Sequence, residues 1–365
     1  MRRAVALALL LAACSRAPTP TFHASGFPEK ISDWGVVRTQ GGALKLSEGA
    51  VPYDLATPLF SDYALKLRTI SLPANGAAVY RDGGALELPV GTIISKTFYY
   101  QTAGGPSDVT YGEERTAIDG AMKLAGVRLV ETRILAHRAD GWIALPYVWN
   151  DRQTEATLRR TGEIVPLTLH RPGGRKEAFS YIVPNTNQCG GCHATNATTR
   201  AIEPIGIKAR HLNKPSTFAP GFNQLDHWRM KKMLTYKEPG AAPRNAIWED
   251  PKESIEARAR AYLDANCSHC HSDVGPADTS GLDLRPSVAM GPKLGLCKTP
   301  IAAGGGSGGR PFDIAPGEPE KSITLFRMET TDPAAMMPEL GRAVTHEEGV
   351  ALIRQWIAEM PGRCN

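Results

Sequence analysis

Apolar and polar positions alternate over residues 28–184 in short runs separated by turn residues, the pattern of strands that bury one face. Leu65, Leu67 and Ile70 belong to one such run, which ends before Pro73. Val79-Tyr80 and Ala85-Leu86-Glu87-Leu88 flank Asp82-Gly83-Gly84, and residues 92–100 form a longer β-rich run. Residues 133–136 and 142–148 flank Asp140-Gly141, a strong hairpin signal, and 167–170 and 178–183 flank Pro172-Gly173-Gly174. The spacing predicts an N-terminal all-β, sandwich-like domain, interrupted by an excursion over 102–126.

After Pro184 the period lengthens from two towards 3.6. Asn223 caps a predicted helix that runs through Leu234, with Leu225 and Trp228 on neighbouring turns. A second helix spans 252–265, where Ile255, Ala259, Tyr262 and Leu263 share one face. A third starts at Thr345, with Glu348 completing a capping box, and stops at Pro361-Gly362. Between them lies a glycine-rich loop over 304–309. The chain therefore reads as multidomain: an all-β domain followed by a mainly α region.

Composition adds boundaries. The 365 residues, 42% hydrophobic and 22% charged, are ordinary for a globular protein. The formal net charge is +5, falling to +3 once Arg2 and Arg3 are removed, too mild for a nucleic-acid partner. Those two arginines open a basic segment, followed by a short apolar stretch over 4–11 that is too brief to span a bilayer. It ends in Leu11-Ala12-Ala13-Cys14, which looks like a lipobox; Cys14 would then be lipidated, and Ser15 after it resembles the outer-membrane sorting pattern. An ordinary secretory cut nearby is the alternative. The expected product is exported, held by lipid at the periplasmic face of the bacterial outer membrane. Residues 15–27 would form a tether.

Of seven cysteines, Cys14 takes the lipid and Cys297 with Cys364 can form a disulfide in an oxidising compartment, or remain two unrelated thiols. The other four form two motifs, Cys189-Gly190-Gly191-Cys192-His193 and Cys267-Ser268-His269-Cys270-His271. Both read C-x-x-C-H. Two thiols so spaced add across the vinyl groups of one haem, and the next histidine binds its iron axially. A zinc site could use the thiol pairs but would leave His193 and His271 unexplained. Two covalent haem c groups are therefore expected, the first in a segment over 185–245 and the second in a domain over 246–365.

The second motif follows an amphipathic helix, and a C-terminal helix closes the chain after Met336-Met337-Pro338. This resembles the small single-haem cytochrome c domain. The resemblance implies that Met337 is the distal ligand, with Met336 the close alternative and Met328 and Met290 behind it. Arg327 would pair with a haem propionate, or be solvent-facing charge. The first motif has no comparable methionine loop. His211 is the first choice for its distal ligand, then Met230, Met233 and His227, unless the position is open.

The whole chain resembles a group of exported dihaem c-type cytochromes with a β-rich N-terminal domain. The residues carrying this are Phe27-Pro28, Ser32-Asp33-Trp34, Pro52-Tyr53-Asp54-Leu55 and the run from Pro58 to Ala64, with Gly91-Thr92 and Lys96-Thr97-Phe98. Glu131-Thr132-Arg133, Trp149-Asn150-Asp151 and Gln153-Thr154-Glu155-Ala156 continue it. It implies domains over 1–14, 15–27, 28–184, 185–245 and 246–365, and electron transfer to redox partner proteins of the cell envelope. The competing reading is a haem enzyme, peroxidase- or oxidase-like, with an open iron position at the first motif and a pocket in the β domain.

Overall fold

A computed structural model describes residues 19–81, 84–112, 120–236, 242–301 and 304–365. The signal segment and Cys14 lie outside them. In chain order the strands are β1 (Val37–Gln40), β2 (Ala43–Leu46), β3 (Val51–Tyr53), β4 (Leu65–Ser71), β5 (Ala78–Tyr80), β6 (Ile93–Thr102) and β7 (Asp108–Thr110). Then come β8 (Ala121–Lys123), β9 (Val127–Arg138), β10 (Gly141–Trp149), β11 (Ala156–Leu158), β12 (Glu163–His170) and β13 (Lys176–Val183). The helices are α1 (Thr186–His193), α2 (Ala209–Leu212), α3 (Gln224–Met230), α4 (Ile255–Asn266), α5 (Ile323–Glu329) and α6 (Glu347–Glu359), with β14 (Leu234–Tyr236) after α3.

The sandwich expectation is corrected. Nine strands form one curled sheet, a half-barrel, in the order β11-β10-β9-β6-β7-β12-β13, with β4 and β3 added beside β6. The cause lies in how β6 meets its neighbours. Its Ile93–Tyr99 part pairs with β4, while Gln101 and Thr102 pair with β7 on that same edge, and its register against β9 shifts between Phe98 and Tyr99. An irregularity of this kind bends a strand and increases twist, so the sheet wraps round instead of dividing in two. A separate three-stranded sheet, β1-β2-β8, accompanies it.

Strand alternation gives the half-barrel two unlike faces. Leu67, Ile93 and Ile134 belong to a core with Trp34, Val37, Leu44 and Met122, beside the small sheet. Thr69 with Ser95 (2.6 Å) and Thr97 with Thr132 (2.8 Å) pair their hydroxyls within that layer. On the opposite face Ile70 and Ile94 pack with Ile207, Leu212, Leu225 and Trp228 from beyond residue 184.

The expected mainly α, cytochrome c-like C-terminal region is also corrected. After α4, turns, short 3-10 segments and isolated bridges fill the chain to α5, and an irregular loop joins α5 to α6. Glycines, prolines and aspartates concentrate in these stretches and favour turns over helix. The helix expected through Leu234 stops at Met230, because Lys232 adopts φ 58° and Leu234 begins β14, which pairs in parallel with β5. α6 starts at Glu347 and not at Thr345. Thr345 donates its hydroxyl to the Glu329 carbonyl, and Glu348 accepts from the Tyr63 hydroxyl (2.6 Å), so no capping box forms there.

Cys297 and Cys364 are joined by a disulfide that closes a loop across 67 positions and ties the irregular stretch to the chain's end. Replacing Cys364 by serine should cost about 2–4 kcal/mol of stability, read as a lower denaturant midpoint. An unchanged midpoint would mean that this loop contributes nothing to cooperative unfolding.

Candidate functional site

The first C-x-x-C-H motif is itself helical. Asn185 caps α1 by accepting from the Gln188 amide (2.8 Å), and Gln188 accepts in return from the Asn185 amide (2.9 Å). Cys189, Cys192 and His193 then line one cavity, of about 130 Å3, beneath the face of the half-barrel that carries Ile94 and Leu135. The second motif continues α4, which Ser254 caps through the Ala257 amide (3.2 Å). Cys267 and His271 line a second cavity, of about 370 Å3, within the usual range for cofactor sites.

The two histidines are held alike. His193 Nδ1 lies 2.7 Å from the Glu203 carbonyl, which can only accept, so Nδ1 carries the proton. His271 Nδ1 lies 3.1 Å from Ser280 Oγ, whose own hydrogen goes to the Ala277 carbonyl (2.7 Å). Among the described residues neither Nε2 has a partner. Burial drops both rings to about 4, reinforced at His193 by Lys96 and Arg133 and at His271 by Arg327, so both are neutral at pH 7 with a lone pair on Nε2. Ligating histidines are commonly oriented this way, through the other ring nitrogen. Burial also raises the thiols, those of Cys267 and Cys270 to about 12, so all four are protonated at neutral pH.

The motifs touch. Cys270 Sγ is 3.6 Å from the Gly191 carbonyl, the Ala197 amide donates to the Val274 carbonyl (2.8 Å), and Pro338 lines both cavities. Met337 lines the larger cavity with His271, whereas Met336 is buried outside it and Met290 is exposed. Met328 also lines it. Arg342 fixes the methionine loop by donating to the carbonyls of Met337 (3.0 Å), Arg327 (2.9 Å) and Thr330 (2.7 Å). Arg327 lines the same cavity and donates to the Ala335 carbonyl (2.9 Å).

The smaller cavity is cationic. Arg68 stands opposite Lys96, and Lys96 opposite Arg133, as direct cross-strand partners on β4, β6 and β9. All three line the cavity, and among the described residues no carboxylate does. Burial, then Arg133, Arg68 and Lys66, hold the Lys96 ammonium well below its ordinary value. Glu131, fully buried, accepts from Arg133 Nε (2.8 Å) and from the Tyr181 hydroxyl (2.7 Å). Like charges directly opposite on a sheet repel, so an anionic group in the cavity would be favoured beside this row. Inward-facing Arg68, Lys96 and Arg133 share the alternation of Ile70, Ile94 and Leu135, and that was the legible signal for them.

His211 lines the smaller cavity too, but both of its ring nitrogens face protein groups. Nε2 is 3.4 Å from Asp264 Oδ2, and Nδ1 is 3.3 Å from Asn245 Nδ2. His269, from inside the second motif, also lines that cavity. Met230 is exposed, and Met233 packs against the core formed around Trp228.

No family model, curated protein or solved structure matches this chain. Among the described residues, no three or more His, Cys, Asp or Glu side chains gather as a metal-binding group. The resemblance to exported dihaem c-type cytochromes is therefore withdrawn. The two motifs and their surroundings are left as the basis for a function.

Proposed function

We propose that the protein carries two covalently attached haems and passes electrons to and from redox partner proteins. The observation carrying this is the shared arrangement of the two motifs. Each offers two thiols and a neutral imidazole whose Nδ1 is pinned and whose ring lines a cavity; Cys189, Cys192 and Cys267 line the cavities too, while the Cys270 thiol faces the Gly191 carbonyl, where the motifs are in contact. Haem, when bound, supplies an iron that takes up and gives back one electron.

The donor sets fit that group. Cys267 and Cys270 would hold one haem through thioether bonds, His271 and Met337 would bind its iron, and Arg327 would pair with its carboxylates. Cys189, Cys192 and His193 would hold the other, and the row Arg68, Lys96 and Arg133 would receive its propionates as charge-assisted partners. At about 130 Å3 this cavity is tight, and the irregular loop over 194–206 forms part of its wall. Export with a lipid on Cys14, at the periplasmic face of the outer membrane, belongs to the same proposal. No helix among the described residues is long and apolar enough to cross a membrane.

The test is haem content and redox behaviour of the protein matured in a host that attaches haem. Replacing Cys267 and Cys270 together by serine should lower covalent haem from two per chain to one, and so should the pair Cys189 and Cys192. Reversible reduction without peroxide turnover supports a carrier. Unchanged haem content in either double variant contradicts the assignment, and rapid peroxide consumption would favour the enzyme reading.

A further inference from the structure

His269 occupies the second variable position of the second motif, yet it lines the cavity of the first. Ser268 beside it is committed elsewhere, donating to the carbonyl and the carboxylate of Asp264, both at 2.8 Å. Cys267 and His271 line the larger cavity, while His269 lines the smaller one with Cys189, Cys192 and His193. One pentapeptide thus presents residues to two sites.

The imidazole of His269 is buried, with 7% of its surface exposed, and neither ring nitrogen has a hydrogen-bond or ion-pair partner among the described residues. Seven of the nine histidines have such a partner; His227, the other exception, lines neither cavity. Neither His269 nitrogen is among the polar atoms sealed away without a partner, so the ring opens onto the cavity it lines, where a ligand can reach it. His211 lacks that property, because Asp264 and Asn245 already occupy its two nitrogens.

We propose that His269 supplies the second axial imidazole for the haem held by Cys189, Cys192 and His193. The inference rests on the two-haem reading above. It makes the first site six-coordinate, with an imidazole on each side, and denies exogenous ligands an open position. It also links the sites covalently, since His269 and His271 are two residues apart on one strand of chain. Bis-imidazole ligation lowers a haem's potential relative to imidazole–methionine ligation, so the first site would be the lower in potential of the two.

The experiment uses the matured protein, with intact mass measured first. The unaltered protein should hold two haems, both low-spin, and bind no carbon monoxide when reduced. His269→Ala should keep two haems by mass but turn one high-spin, binding one carbon monoxide per chain; added imidazole should restore the low-spin spectrum. His269→Met should add a second near-infrared sulfur–iron band. His211→Gln should leave both haems low-spin. Low-spin spectra for both haems in His269→Ala, or a high-spin haem already in the unaltered protein, would overturn the assignment. A mass without any haem would instead bring down the two-haem reading itself, and this inference with it.

Discussion

Asp264→Ala should cost the fold about 3–5 kcal/mol, because it breaks a buried ion pair and takes a carboxylate away from the Arg210 guanidinium. The Asp264 side chain is fully buried, and its oxygens accept from Arg210 Nε (2.6 Å) and Nη2 (2.9 Å), Asn245 Nδ2 (2.7 Å) and the Ser268 hydroxyl (2.8 Å). Burial alone would raise its pKa, but the Arg210 hydrogen bonds and the nearby charges of His211, Arg210 and Lys208 hold the carboxyl below the usual range. A carboxylate with a depressed folded pKa contributes stability that is present above its unfolded value, about 3.9, and is lost as pH falls through the folded value. The gap between the parent protein and the variant should therefore be full at pH 7 and narrow below about pH 4. Denaturant titration at both pH values checks this. A loss under about 1 kcal/mol at pH 7 would show that Arg210 finds another partner. Since Ser268 and α4 lead directly into the second motif, a second effect is expected: slower haem attachment at Cys267 and Cys270.

Glu131→Ala should be of similar size, again about 3–5 kcal/mol, for the same reason in a different layer. It removes the carboxylate that Arg133 and Tyr181 share, beside a row already holding Arg68 and Lys96. Adding Lys96→Met should recover part of the loss, because it takes one like charge out of the row, at the cost of the ammonium's contact with the Phe98 ring, over which Lys96 Nζ lies at 4.9 Å. The two substitutions should couple rather than add, as expected for groups in one electrostatic cluster. A double variant whose loss equals the sum of the two single losses would mean that Lys96 and Glu131 do not sense each other. The recovery should be smaller when an anionic group occupies the cavity, since Lys96 then has a partner to lose.

Much of the β region was legible because periodicity and turns agreed there. The Asp140-Gly141 hairpin joins β9 and β10, and Pro172-Gly173-Gly174 lies between β12 and β13. How the strands assemble was not legible. One edge of β6 serves β4 and then β7, a long-range choice that alternation within a strand does not encode. The C-terminal misreading has a similar origin. Asn223 does cap α3, but Leu234 is drawn into pairing with β5, some 150 residues earlier in the chain, and a tertiary partner overrides the local helical period.

Several residues behind the family resemblance have local structural work. Ser32 donates to Glu155 (2.6 Å), Trp34 Nε1 donates to the Tyr147 hydroxyl (2.7 Å), and Gln153 accepts from the Leu129 amide (2.5 Å). Asp62, a non-glycine residue at φ 49°, accepts from the Ala343 and Val344 amides, stitching the strand region to the loop after Met337. Burial raises its carboxyl to about 6 despite those bonds. Short motifs of this kind mark junctions, and no periodic signal reports which segments they join.

At the candidate site the sequence offered the motif residues but not their company. Met337 and His271 line one cavity although 66 positions separate them. Arg68, Lys96 and Arg133 come from three strands, and only the register of the sheet aligns them in a row. His269 was hidden in plain view, since inside a C-x-x-C-H motif its position is nominally a spacer.

Intact mass spectrometry of the chain, matured in a cell that attaches haem and then denatured, decides whether both motifs carry haem. A red polypeptide heavier by two haems than its processed sequence is expected, reduced to one when either cysteine pair is replaced. A colourless chain at its unmodified mass would contradict it.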